Sequence, residues 1–97
     1  MTLHRFAVRR DRNEAEIVQA LEQVDAMVTR LNKPLDLLVG FRGQLFLIEV
    51  KDGAKTAGNR PLTPDQEDFL AECQRRGLPA CVVTDVHEAL AAIGAVR

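Results

Sequence analysis

Two strand-like runs, "LDLLVG" (residues 35–40) and "QLFLIEVK" (residues 44–51), are joined through "FRGQ" by so few residues that they read as a hairpin, with Gly43 supporting a tight turn. With a two-residue turn at Arg42-Gly43, Phe41 faces Gln44, and each step back along the first strand is a step forward along the second. Counting on, Asp36 falls directly opposite Glu49. A three- or four-residue loop changes this pairing. Directly opposed side chains have β-carbons roughly 4.5–5.5 Å apart. Two carboxylates that close repel unless a cation sits between them. Lys51 shares the face of Glu49, because side chains alternate with period two, and lies about 7 Å along the strand.

A divalent metal ion resolves the repulsion. Mg²⁺ takes one or two carboxylates together with waters and phosphate oxygens, lowers the pKa of a bound water and stabilises charge on a phosphoryl oxygen. Lys51 is then placed to orient or help deprotonate an attacking water, or to stabilise developing negative charge. The plain alternative is that Asp36 begins a strand at the solvent edge. Glu49 and Lys51 are then the polar exit of a buried strand, paired at the surface.

Before the hairpin, "DRNEAEIVQALEQVDAM" reads as a helix with Ile17, Leu21, Val24 and Val28 on its buried stripe, capped by Asp11 or Asn13 and ending near Asp25. The β-branched "MVTRL" (27–31) is a short strand, and "NKP" breaks the chain. After the hairpin, "DGAKTAGNRPL" is a loop, expected to be flexible over 52–62 from its glycines, its proline and its scarcity of apolar residues. "LTPDQEDFLAECQRRG" is a helix with Thr63 as cap, Pro64 at its first position and Gly77 ending it. "PACVVTD" is a short buried strand and "VHEALAAIGAV" a final helix. The predicted order is α-β-β-β-α-β-α, an α/β mixed sheet flanked by helices.

Two polar residues stand on the core-facing stripes of their helices. Glu14 lies one turn before Ile17, and Gln66 one turn before Phe69 and Leu70. Polar residues are routine in a first helical turn, where acids favour the N-terminus. Both nevertheless are placed to converge on the strand ends that carry Asp36, Glu49 and Lys51.

Composition narrows the function classes. The 97 residues, 46% hydrophobic and 28% charged, suit one small domain over residues 1–97. No apolar run approaches a bilayer span, so no membrane association is expected. The opening "MTLHRFAVRRDRNE" is too polar for a secretory signal. Cys73 and Cys81 match no close-spaced metal pattern and read as buried, reduced thiols. The net charge of −1 excludes a globally basic nucleic-acid binder. Charge is uneven, however. Arg5, Arg9, Arg10 and Arg12 face Asp11 alone in a basic N-terminal arm (1–11 and its flank), and Lys51, Lys55 and Arg60 outnumber Asp52 in the loop. From charge alone these are solvated segments; beside a suitable site they meet phosphates.

Asp36, followed across the hairpin by Glu49-Val50-Lys51, resembles the motif of the PD-(D/E)xK nuclease superfamily. Within it, "NEAEIVQAL", "LDLLVGFRGQLFLIEVKDG", "LTPDQEDFL" and "GLPACVVTDVHEAL" are similar to small phage and VRR-NUC-type members and to archaeal Holliday-junction resolvases. The resemblance covers residues 12–93. It implies a restriction-endonuclease-like core and a Mg²⁺- or Mn²⁺-dependent endonuclease cutting phosphodiester bonds in DNA, with branched or structured DNA as a substrate class. It implies that Asp36 and Glu49 hold the metal with the Val50 carbonyl, that Lys51 is the catalytic lysine, that Glu14 stands near the metal from the first helix, and that Gln66 borders the site. Glu16 points off the core stripe and is the weaker candidate for the helix glutamate.

One departure is that Leu35 intervenes between Pro34 and Asp36, where the family often has proline directly before the aspartate. That proline is not a ligand. With four phenylalanines and no tryptophan or tyrosine, a monomer offers little surface to DNA, so a homodimer or a partner protein is expected. The resemblance places the protein in the cytoplasm of a bacterium or a phage-infected host cell. The competing readings are a catalytically inactive nuclease-fold module that binds DNA or protein in a phage replication or packaging assembly, and an unrelated α/β domain whose charges are surface pairs.

Overall fold

The computed structural model of the chain describes residues 13–52 and 62–96. The basic arm 1–11, the cap Asp11 and the loop interior at 53–61 lie outside the described residues. The elements run α1 (Glu14–Gln23), β1 (Met27–Arg30), β2 (Leu37–Phe41), β3 (Gln44–Val50), α2 (Pro64–Arg76), β4 (Ala80–Val83) and α3 (Val86–Ala92), the order expected from the sequence.

The hairpin has the expected register. Its turn places Arg42 at φ 50° and Gly43 at φ 81°, both in the left-handed region that a two-residue turn matched to strand twist requires. Arg42 also lies over the Phe41 ring, 4.8 Å from its centroid, a contact that helps offset the strain of a non-glycine residue there. The β2–β3 ladder runs from Phe41↔Gln44 to Leu37↔Ile48. β1 adds antiparallel to β2, from Met27↔Gly40 to Arg30↔Leu37. β4 adds parallel to β3 after the α2 crossover, from Leu47↔Ala80 to Val50↔Val83. The sheet order is thus β1-β2-β3-β4.

Strand alternation divides the sheet into two faces. Leu37, Val39, Phe41, Phe46, Ile48, Val50 and Val83 point to one face and are buried there with Ile17 and Leu21 of α1 and Ala89 and Ile93 at the end of the chain. α1 and α3 cover this face because each carries its apolar residues on one stripe. Leu38, Leu47 and Glu49 point to the other face, where α2 lies. Phe69 and Cys73 of α2 line an apolar cleft with Leu38, Leu45, Leu47, Leu78 and Pro79. Met27 and Leu45 remain largely exposed on this side. Among the described residues no helix is long and apolar enough to cross a membrane.

Local signals placed most boundaries. α2 begins with a capping box: Thr63 Oγ1 accepts from Gln66 N–H at 3.1 Å, and Gln66 Oε1 accepts from Thr63 N–H at 3.1 Å. It ends at Gly77, φ 72°. Glu72 pairs with Arg75 and Arg76 on its outer surface. α1 ends before Asp25, which holds φ 71°, a conformation aspartate tolerates better than most residues.

Four expectations need correcting. Asn13 occupies the N-cap position of α1 but makes no side-chain cap hydrogen bond; its amide is committed to tertiary contacts instead. β4 is not uniformly buried: Val83 is, while Val82 is exposed, because α2 leaves part of its face uncovered. Cys81 is only half-buried, whereas Cys73 is buried; both are free thiols. α3 stops at Ala92, and Gly94 at φ 83° turns the chain where a longer helix was expected.

Candidate active site

The site sits at one end of the sheet, where β1 and β3 finish, β2 begins and β4 finishes. Asp36 immediately precedes β2. Its main chain is tied to the end of β1 by Leu31 N–H donating to Asp36 O at 2.7 Å. Leu35, at the position where proline was expected, is 1% exposed, so a buried side chain anchors the backbone just ahead of the aspartate. The ladder ends one step short of an Asp36–Glu49 pair. Instead, Asp36 Oδ2 accepts from Val50 N–H at 2.8 Å. The aspartate side chain thus continues the hairpin's hydrogen bonding where its main chain stops. A strand residue's N–H and C=O point toward the same neighbour, so the Val50 carbonyl also faces the Asp36 side.

Glu49 is 3% exposed on the α2 face. Lys51 Nζ lies 3.0 Å from Glu49 Oε2, which confirms that the two share a face. Glu49 Oε1 is buried without a hydrogen-bond partner. Burial pushes the Glu49 carboxyl above its ordinary value near 4.5. The bond to Lys51 opposes the shift, the nearby Asp36 charge adds to it, and the Gln66 amide opposes it weakly. An orphaned carboxylate oxygen in a buried position costs free energy. Here it lies beside a second carboxylate, which is a set of hard oxygen donors suited to Mg²⁺ or Mn²⁺.

Gln66 reaches this site from α2 because its capping hydrogen bond fixes its carbonyl oxygen on Thr63. The amide end is then the one presented to Glu49. Beside it, Asn32, Lys33, Pro34, Thr63 and Asp65 line a cleft with Gln66.

Glu14 is placed differently. It is 2% exposed, as its inward position required, but its Oε2 accepts from Arg30 Nε at 3.0 Å. Arg30 is opposite Leu37, on the sheet face away from Glu49. Among the described residues no three of His, Cys, Asp or Glu gather closely enough to hold a metal ion together. The structure therefore brings Asp36, Glu49, Lys51, Gln66 and the Val50 carbonyl together, with Glu14 at the same sheet end but engaged by Arg30. Glu16 is exposed. Sequence reasoning missed Arg30 and Asn13. Asn13 Nδ2 donates to Lys51 O at 3.1 Å and to Thr84 O at 2.8 Å, fixing the carbonyl that follows the site. Arg30 had a signal, a charged residue ending a short strand beside an inward acid. Asn13 had none, since its partners are 38 and 71 residues away.

No protein-family model matches the chain, and no curated protein matches it in sequence. Among solved structures, one described as "VRR_NUC domain" is similar in fold, with a TM-score of 0.63 at 23% sequence identity, covering 88% of this chain and 98% of that one. The four-stranded mixed sheet, the hairpin register and this likeness together give the chain a restriction-endonuclease-like fold.

Proposed function

We propose that the protein is a divalent-metal-dependent DNA endonuclease whose active site is the sheet end bearing Asp36, Glu49 and Lys51. The observation that carries this reading is the buried, unpartnered Oε1 of Glu49 beside the Asp36 carboxylate, with the Lys51 ammonium 3.0 Å from the other Glu49 oxygen. The VRR-NUC-like fold supports it.

Asp36, Glu49 and the Val50 carbonyl would hold Mg²⁺ or Mn²⁺. Such an ion, when bound, neutralises phosphate charge and makes a bound water more acidic. The chain's own residues supply position and electrostatics. Asp36 is fixed by the Val50 N–H, so its second oxygen is set by the hairpin and not by a free rotamer. Lys51 is held by Glu49 on the same face, where it orients the attacking water or stabilises charge on the departing oxygen. Gln66 keeps its amide donor toward the acids and limits their freedom to turn away. Branched or structured DNA is the substrate class we favour. A second copy or a partner protein would widen the DNA surface, a reading supported by the exposed Met27, Leu45 and Leu78 beside the apolar cleft.

The test is cleavage of linear, supercoiled and branched DNA with Mg²⁺, Mn²⁺ or EDTA. Glu49→Ala is expected to abolish cleavage, and Lys51→Ala to lower it by roughly 10²–10⁴-fold, the usual contribution of a proton-transferring side chain. Cleavage that survives both substitutions would show that the site lies elsewhere.

A further inference from the structure

We infer that Arg30 binds a phosphate a few nucleotides along the DNA strand from the one being cut, and that Glu14 is the positioning residue that aims it. This rests on the nuclease reading of the same sheet end.

Arg30 closes β1 opposite Leu37, the residue after Asp36, so it stands at the same sheet end as the acids, with its side chain on the face away from Glu49. Adjacent strands lie about 4.8 Å apart, which puts Arg30's strand about 10 Å from β3. A few successive phosphates, at about 3.4 Å rise each, cover that span. Glu14 is buried at 2% exposure, whereas the Arg30 side chain is 49% exposed. Their hydrogen bond is made by the Arg30 Nε, so the two terminal nitrogens of the guanidinium are not used in it. A guanidinium is always charged and presents its donors in a planar fork matched to phosphate. Held at Nε by a fixed carboxylate, that fork loses little freedom on binding.

The local charge gives such a cation a purpose. Asp36, Glu49 and Glu14 are acids, and the Lys51 ammonium is bound to Glu49. An incoming phosphate therefore meets net negative charge unless another cation flanks the acids; at this edge Lys33 is exposed on the Gln66 side, and Arg30 is the exposed cation that a buried carboxylate holds in place. The same geometry gives Glu14 a part other than metal ligation, because its carboxylate is turned to Arg30.

The experiment uses a fluorescein-labelled DNA duplex and the full chain in EDTA, with affinity measured between low and moderate NaCl, and a separate melting series with and without Mg²⁺. Arg30→Ala is expected to weaken binding several-fold and to reduce the slope of log affinity against log salt by about 1. Arg30→Lys, which keeps the charge without the fork, should restore the slope but not the full affinity. Because Arg30→Ala takes the Nε partner from a buried acid and could unfold the chain, Glu14→Gln is the second variant: it keeps an acceptor for Nε while removing the acid's charge. It should weaken DNA binding less than Arg30→Ala and leave the Mg²⁺-induced rise in Tm unchanged. An unaltered salt slope in folded Arg30→Ala, or a slope in folded Arg30→Lys lower than the parent's by about 1, would overturn the phosphate role. Loss of the Mg²⁺ response in Glu14→Gln would overturn the positioning role and return Glu14 to the metal. Glu49→Ala in the same series tests the nuclease reading separately, through the Mg²⁺ response and cleavage, since binding in EDTA needs neither.

Discussion

At the residue scale, Glu49 carries the strongest tension in the molecule. Its carboxyl is pushed up by burial and by Asp36 more than Lys51 and Gln66 bring it down. The folded state therefore holds the Glu49 proton more tightly than the unfolded state does. The stability this contributes is full below the unfolded value and is lost as pH rises through the higher folded value. Glu49→Gln is accordingly expected to raise the metal-free Tm at neutral pH, to flatten that decline with pH, and to eliminate any rise in Tm with millimolar Mg²⁺. Thermal melts across pH 4–8, with about 5 mM Mg²⁺ or EDTA, check all three. A Tm for Glu49→Gln below that of the parent in EDTA would show that the bond to Lys51 outweighs burial. The sequence exposed this tension through two adjacent facts, an acid at the end of a greasy strand and a facing aspartate. It did not show that Asp36 would bond the Val50 N–H, because that depends on the ladder stopping one residue early.

At the scale of elements, the hairpin and α2 do the positioning, and both were legible because their signals are local. A two-residue turn fixes a register, and the register fixes which acids meet. A β-carbon at Gly43 would meet nothing within 4 Å, so Gly43→Ala tests backbone conformation alone. It is expected to cost about 1 kcal/mol, a fall of about 4–8 °C in Tm for a domain of this size. Thr63→Ala separates cap from chemistry. It removes the Oγ1 acceptor, for a loss of about 1 kcal/mol, yet keeps the Thr63 N–H that holds Gln66. Its Tm should fall while cleavage per folded molecule stays at the parental level; a matching loss of activity would show that the hydroxyl also orders the site. The helix glutamate was harder to read. Its burial followed from helical spacing, but its partner Arg30 comes from a different element, and spacing within one helix says nothing about that.

At the scale of the whole molecule, the sheet buries its apolar core under α1 and α3 and carries Glu49 and Lys51 on the face under α2, and the two faces are tied together at the site end. Asn13 supplies one tie by donating to the carbonyls of Lys51 and Thr84. Asn13→Ala leaves both acceptors without that donor and is expected to cost about 1–3 kcal/mol. Asn13→Asp should be worse, since it turns a carboxylate toward two carbonyl oxygens; urea unfolding of the two variants decides the order. Such ties were invisible in the sequence because they join residues far apart along the chain, where neither periodicity nor turn chemistry has anything to say.

That separation has a consequence during synthesis. The bond from Asn13 to Thr84 spans 71 positions, and β4 joins β3 only after α2 has been made. At about 5–20 residues per second, the hairpin with its acids emerges from the ribosome seconds before the strand that buries one side of it. Until Thr84 arrives, Lys51 and its carbonyl have no fixed frame. A nascent chain therefore carries the acids before it carries the strand that frames them.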